Sequence, residues 1–325
     1  GEWPTHCFKA YDIRGKLGED FNEEIAYAIG RATAQSTNAN SVAVGFDARA
    51  TSPDLADAVA KGICDAGANV LDIGLVGTEE IYAAVVEFGA CAGIEVTASH
   101  NPIDYNGMKI VGRGAQPMSD QEFKVIKGLA EDNIFFQPRQ KGVVLDKKEA
   151  AREAYITKVM GFVDCSQLKP LKMVINSGNG AAGPTRGALN EKLRENGVEG
   201  HFVFVNHEPD PSFPNGIPNP LLEENRSSTA DIIVSENADF GVAFDGDFDR
   251  CFFFDHSGYF IPGEYVVGLL AEVFLSKEKG ATIIHDPRVI WNTIDVISKF
   301  GGKAEASKTG HAFVKAAMRN MDAIY

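Results

Sequence analysis

Three aspartates alternate in FDGDFDR (244–250): Asp245, Asp247 and Asp249 follow the apolar run FGVAF, and a second apolar run resumes after Arg250. Carboxylates two residues apart in a loop between buried strands repel one another, and a divalent cation is the natural balance. An isolated Asp-x-Asp is more often a solvated acidic turn; Gly246 and Arg250 set between two apolar strands favour a metal. The spacing is not that of an EF-hand, whose loop needs Gly at its sixth position and Glu at its twelfth, where this sequence has Arg250 and His256. An all-oxygen donor set points to Mg²⁺ rather than Zn²⁺.

A second group of residues lies in TASHNPIDYNGMKI (97–110). The strand-like AGIEVTA leads to Ser99, and His100, Asn101 and Pro102 follow before the turn DYNG. A serine at the end of a strand is placed to project from a rigid scaffold. Ser and Asn also cap backbone donors routinely, so SHNP alone reads as a turn. It is not a hydrolase elbow, since both flanking glycines of GxSxG are missing. Lys109 is the nearest candidate acid or base. Cations recur at strand-end loops: Arg14 in YDIRGKLG (11–18), Arg288 in HDPR (285–288), and Lys308 with His311 around Gly310 in KTGH (308–311). A phosphorylated sugar would need such groups. NSGNGAAG (176–183) could cradle a phosphate, but it matches neither GxGxxG nor GxxxxGK[ST]. Its glycines are read as serving the turn and the packing of the following helix.

The elements that must position these residues form a repeated strand–loop–helix–strand unit. The first copy is SVAVGFDAR (41–49), a helical TSPDLADAVAKGICDAG (51–67) and ANVLDIGLV (68–76). The second is LKMVINSGNGAAG (171–183), PTRGALNEKLRENG (184–197) and HFVFVN (201–206); the third is ATIIHDPR (281–288), VIWNTIDVISKFGG (289–302) and KAEASKTG (303–310). Short apolar strands joined by amphipathic helices that end on glycine are the pattern of α/β layers. The expectation is three related α/β domains with mixed sheets between helices, at 1–148, 149–256 and 257–325. The first cut falls where EDNIFFQPRQKGVVLDKKEA (131–150) turns Pro- and Lys-rich, the second at HSG in DHSGYFIPGE. Five prolines between Pro209 and Pro220 predict a rigid surface loop.

Composition narrows the function classes. The 325 residues carry 44% hydrophobic and 23% charged side chains, which is globular rather than disordered. A net charge of -14 without a basic block argues against a nucleic-acid partner. The longest apolar stretch, VVGLLAEVFL (266–275), is too short to span a bilayer, and no signal-peptide pattern opens the sequence, so no membrane role is expected. Five scattered cysteines without CxxC spacing imply reduced thiols and a cytoplasmic setting, with Cys91 and Cys251 as small buried hydrophobes.

Taken together, the motifs resemble the α-D-phosphohexomutase family. TASHNP is similar to its phosphoserine loop and DGDFDR to its metal loop. AYDIRG (10–15) resembles the N-terminal signature of the phosphomannomutase/phosphoglucomutase branch, and HDPR with KTGH resembles the sugar-phosphate loops of the third domain. The likeness runs in register from about Phe8 to Tyr325. Wider similarity in CFKAYDIRGKLGEDFNEEIAYAIGRA, GTEEIYAA and INSGNGAAGP leans toward bacterial enzymes of the GDP-mannose route.

The resemblance implies an isomerase-class phosphotransferase that interconverts mannose 6-phosphate and mannose 1-phosphate through a hexose 1,6-bisphosphate, which also serves as activator. Ser99 would be the phosphorylated residue, and Asp245, Asp247 and Asp249 would bind Mg²⁺ together with a phosphoserine oxygen. Lys109 would be the general acid/base, with His100, Arg14, Arg250 and Tyr11 around the transferring phosphoryl. Arg288, Lys308, Thr309, Gly310 and His311 would meet the sugar phosphate. The family continues with a sugar-selecting loop and a fourth, phosphate-binding domain that this sequence does not reach, which implies weak or no turnover. The alternatives are a phosphoglucomutase or phosphoglucosamine mutase of the same fold, or a non-catalytic sugar-phosphate-binding module. Oligomeric state is not legible.

Overall fold

Alternation along the strands sets the layers. Val42 and Val44 of SVAVGF bury into one core with Ile94, Val96, Met108 and Ile110, while Ala43 between them enters a second core with Leu71, Ile73, Ile81 and Val85. A sheet apolar on both faces must carry helices on both faces. The computed structural model describes residues 7–9, 12–161, 172–197, 201–261 and 265–266. The chain divides into two compact units, Gly1–Tyr155 with Asp210–Ser212, and Ile156–Pro209 with Phe213–Tyr325.

In the first unit the order is β1 (Ile13–Lys16), α1 (Glu23–Ser36), β2 (Ser41–Phe46), α2 (Ser52–Asp65), β3 (Asn69–Leu75), α3 (Thr78–Phe88), β4 (Ala92–Val96), β5 (Tyr105–Gly112), α4 (Asp120–Glu131) and β6 (Val144–Asp146). They form a six-stranded sheet of order β1-β5-β4-β2-β3-β6. Strands β4, β2, β3 and β6 run parallel, and β5 lies antiparallel between β4 and β1. Helices α1, α2 and α4 bury Ile25, Ile29, Leu55, Val59, Ile63 and Ile126 against one face, and α3 buries Ile81 and Val85 against the other. Local signals begin and end the helices. Asn22 caps α1 by accepting from Ile25 N at 2.9 Å, Ser119 and Glu122 form a capping box on α4, and Gly89 at φ 61 closes α3.

Helix α5 (Lys148–Gly161) leads out of this sheet. In the second unit, β7 (Lys172–Asn176), α6 (Ala182–Glu195), β8 (His201–Val205), α7 (Ser227–Ser235), β9 (Phe240–Phe244), β10 (Arg250–Phe254) and β11 (Tyr265–Val266) build a five-stranded sheet of order β11-β10-β9-β7-β8. Strands β7, β8 and β9 are parallel, and β10 is antiparallel to both β9 and β11.

The strands and helices read from the first two repeats are present within a few residues of their expected limits. Three features differ from expectation. The Pro- and Lys-rich stretch after α4 contains β6, an edge strand paired in parallel with β3 whose three residues are all exposed, so no apolar periodicity announces it. The proline-rich loop is partly interior, with Phe213 at 7% exposure and Pro218 and Pro220 buried. The chain also stays with the second sheet past residue 257: Ile261 N bonds Phe253 O, Phe254 bridges Phe260, and β11 pairs with β10. The third repeat, and with it Arg288, Lys308, Thr309, Gly310 and His311, lies outside the described residues, as does Tyr11.

Candidate active-site loops

Both candidate loops leave the carboxyl ends of parallel strands, where open α/β sheets place their ligand sites. In the first unit β4 ends at Val96, and Thr97, Ala98 and Ser99 lead directly off it. Ser99 is 6% exposed and adopts φ 51, a left-handed conformation that costs a non-glycine residue free energy. The surrounding contacts hold it there. Ser99 N donates to Thr97 Oγ1 at 2.9 Å, Thr97 Oγ1 donates to Asp47 Oδ2 at 2.7 Å, and the Ser52 hydroxyl at the start of α2 donates to Asp47 Oδ1. Asn106, wholly buried, donates to Thr51 Oγ1 and Ser52 Oγ and accepts from Gly107 N.

Beside Asp47 stands Arg49, 3% exposed, with Nε 3.6 Å from the Asp47 carboxylate. Its guanidinium donates to the carbonyls of Ser99 (3.1 Å), Asn101 (2.6 Å), Pro102 (2.8 Å) and Tyr105 (3.1 Å). Burial pushes the Asp47 carboxyl up, while the Arg49 charge and the Ser52 and Thr97 hydroxyls pull it back; the net direction is upward. Neither residue stands out in the sequence, where FDAR reads only as a polar turn closing a strand. The signal available was an Asp-x-Arg at the carboxyl end of a buried run, immediately before a helix start.

Of the predicted residues, Arg14 joins this loop, donating to Thr97 O at 2.7 Å and lying 4.0 Å from Asp12. His100 Nδ1 is 3.4 Å from Ser99 Oγ, at the outer limit of a hydrogen bond. Lys109 stands on β5 in register with the fully buried Glu95 of β4, while Arg14 pairs with Gly107.

In the second unit the DGDFDR loop is the turn between β9 and β10. Asp245 N bonds Arg250 O, Arg250 N bonds Asp245 Oδ1, and Phe248 N bonds Asp245 O. Phe248 turns the corner at φ 38 and buries its ring edge-on to Phe244 at 6.2 Å. Asp245 (1% exposed), Asp247 (0%) and the half-buried Asp249 bring one carboxylate oxygen each to within 4.8 Å of one another. Three hard oxygens converging in a largely buried loop fit Mg²⁺. The glycine-rich loop after β7 packs on this turn: Ala181 N donates to Gly246 O at 3.0 Å, and a Cβ on Gly180 would lie 2.7 Å from that oxygen. Its glycines therefore serve the aspartate loop as well as the turn and helix expected of them. Arg250 begins β10 beside these carboxylates.

Models of phosphoglucomutase/phosphomannomutase α/β/α domains I, II and III match residues 5–135, 153–258 and 262–325 in succession. The chain belongs to the phosphoglucomutase/phosphomannomutase family. It is 53% identical to phosphomannomutases of Escherichia coli, over 323 residues, and of Vibrio cholerae, over 325, each match covering 98% of this chain and 70% of the relative. A crystal structure of a family member from Burkholderia thailandensis superposes with a TM-score of 0.70 at 33% identity, covering 79% of this chain and 56% of that one. The chain thus spans little more than half of that solved structure. Its relatives are isomerase-class phosphohexomutases, and phosphomannomutase is the activity named where identity is 53% along nearly the whole chain. Among the described residues no helix is long and apolar enough to cross a membrane.

Proposed function

We propose that this chain carries the phosphoserine chemistry of a phosphomannomutase, moving a phosphoryl group between mannose 6-phosphate and mannose 1-phosphate by way of a hexose 1,6-bisphosphate. The observation that carries this reading is Ser99: a buried serine off a strand end, held left-handed by a network that grips the backbone around it. In the family's chemistry that serine gives its phosphoryl to the sugar's free hydroxyl. The bond from phosphorus to Ser99 Oγ breaks, a bond to the sugar oxygen forms, and the hydroxyl proton passes to a base, for which Lys109 is the candidate. Reorientation of the bisphosphate and the reverse displacement return the other phosphoryl to Ser99. A covalent carrier divides one awkward intramolecular move into two in-line displacements.

Asp245, Asp247 and Asp249 would hold Mg²⁺, which when bound neutralises charge on the transferring phosphoryl. Arg14 and Arg250 supply fixed positive charge near the two loops, and Tyr11, Arg288, Lys308, Thr309, Gly310 and His311 are assigned to the sugar phosphate. The cysteines in the described residues are free, which supports a cytoplasmic setting. Intact-mass spectrometry tests the reading after incubation with glucose 1,6-bisphosphate and Mg²⁺. The expected result is one added phosphoryl, absent in Ser99→Ala. An unmodified wild-type chain would favour a sugar-phosphate-binding module instead.

A further inference from the structure

We infer that Asp47, Thr97 and Arg49 form a clamp that positions Ser99 for phosphoryl transfer, with Thr97 as its hub. This rests on Ser99 as the phosphoryl carrier. Each polar group of Thr97 is committed. Its N–H donates to Gly107 O and so extends the β4–β5 ladder by one residue. Its carbonyl accepts from Arg14 at 2.7 Å. Its hydroxyl donates to Asp47 and accepts from Ser99 N. One side chain thereby links the fixed end of β2 to the backbone of the serine two residues on.

Arg49 acts on the other side of the serine. Its guanidinium binds the carbonyls of Ser99, Asn101, Pro102 and Tyr105, so it spans the whole excursion from Ser99 to the start of β5. A guanidinium is suited to this because its donors are fixed in one plane, whereas an ammonium is a point charge on a flexible stem. The arrangement has an electrostatic consequence. Carbonyl oxygens carry partial negative charge and would oppose an arriving phosphoryl. Drawing the Ser99 carbonyl toward Arg49 turns the Ser99–His100 peptide, and in a trans peptide the His100 N–H then points the opposite way. The loop is thus bent, and its dipoles sorted, by buried groups whose hydrogen bonds go to the loop backbone and to one another. Asp47 holds the clamp's charge in balance: it lies against Arg49 and receives the Thr97 and Ser52 hydroxyls and Arg49 N.

The test compares three variants of the whole chain with wild type, following the rate at which Ser99 gains a phosphoryl from glucose 1,6-bisphosphate with Mg²⁺, well below the thermal midpoint of each. Thr97→Val keeps the shape and removes the hydroxyl; the maximal rate is expected to fall at least tenfold with little change in the bisphosphate concentration giving half that rate. Thr97→Ser restores the hydroxyl and is expected to recover most of the rate. Arg49→Lys keeps the charge but cannot span the carbonyls, and a fall larger than that of Thr97→Val is expected. A folded Thr97→Val that labels at the wild-type rate, or whose loss Thr97→Ser does not recover, overturns the clamp while leaving Ser99's role intact. A wild type that takes no phosphoryl overturns the parent reading and the clamp with it. Should Arg49→Lys fail to fold, the Thr97 pair decides alone.

Discussion

The two loops reach rigidity by opposite means. The Ser99 loop is gripped by side chains: a buried Asp–Arg pair and a threonine hydroxyl bind its backbone from behind. The aspartate loop is shaped by backbone: a tight turn between antiparallel strands, with the glycine loop of β7 lying directly on Gly246. In the first, the charges that fix the loop cancel within the protein. In the second, three carboxylates converge within 4.8 Å of one another, with Arg250 opening the next strand beside them. The difference matches the tasks proposed. A serine that must meet a phosphoryl at a set angle needs its position fixed in advance, whereas a cation site needs concentrated negative charge that the ion itself completes.

The largest effect that would break this comparison is expected at Asp247. If its loop is completed by a cation, Mg²⁺ raises the thermal midpoint of the wild-type chain relative to chelator, by the linkage of binding to folding. Asp247→Ala should abolish that rise and slow Ser99 phosphorylation on the order of 10²–10³-fold, the usual cost of deleting one charge-stabilising group. A midpoint that Mg²⁺ leaves unmoved in the wild type would mean that the carboxylates are balanced in another way.

A smaller effect separates backbone shaping from side-chain gripping. Gly180→Ala brings a Cβ 2.7 Å from Gly246 O, so one of the two loops must shift. A loss of about 1–3 kcal/mol is expected, as for other overpacked contacts, together with weaker Mg²⁺ binding. Gly128 is the control: it lies inside α4 with nothing within 4 Å of an added Cβ. Gly128→Ala should stabilise by about 0.5–1 kcal/mol through helix propensity and leave Mg²⁺ binding unchanged. Denaturant melts with and without Mg²⁺ read both outcomes; equal losses in both variants would mean that the Gly180 contact has no special role.

The sequence exposed the two loops unequally, and the reason is physical. Alternating carboxylates between apolar runs, with Gly246 and Arg250 among them, are a local signal, so Asp245, Asp247 and Asp249 read as a metal loop without the resemblance. Ser99 is less legible: a strand end places it to project, but Ser-His-Asn-Pro is also ordinary turn chemistry, and only the resemblance gives it a role. Asp47 and Arg49 are not legible in the sequence because what distinguishes them is burial, and their burial depends on β4 and the turn into β5, about 50 residues along the chain. Pairing across that distance leaves no periodicity in FDAR. The edge strand Val144–Asp146 was hidden for the converse reason: its residues are exposed, so only backbone bonding to β3 marks it as a strand.

The smallest effect contrasts two carboxylates at the two ends of one helix. Asp47 receives the hydroxyl of Ser52, which opens α2, and burial pushes its carboxyl up. Asp65 closes α2 at 14% exposure; burial would raise it too, but the Tyr27 hydroxyl and the Lys141 ammonium 3.1 Å away hold it below the ordinary value of 3.8. A depressed carboxyl favours the folded state once ionised, so its contribution is present above pH 3.8 and is lost as pH falls through the lower, folded value. Asp65→Asn removes the ion pair with Lys141 and leaves a neutral acceptor for Tyr27. A loss of about 1 kcal/mol at neutral pH is expected, the worth of one such bond, and it should shrink as pH falls from 3.8 through the lower folded value, below which wild-type Asp65 is itself neutralised. Because this residue stabilises the α1–α2 pair and touches neither loop, Ser99 phosphorylation should proceed at the wild-type rate. Asp47→Asn should lower that rate even where the fold survives, since an amide in place of the carboxylate loses the charge that faces Arg49. If the two variants instead change stability and labelling in proportion, the Asp47 network is scaffold in the same sense as Asp65, and the distinction between a gripped loop and a merely stable one fails.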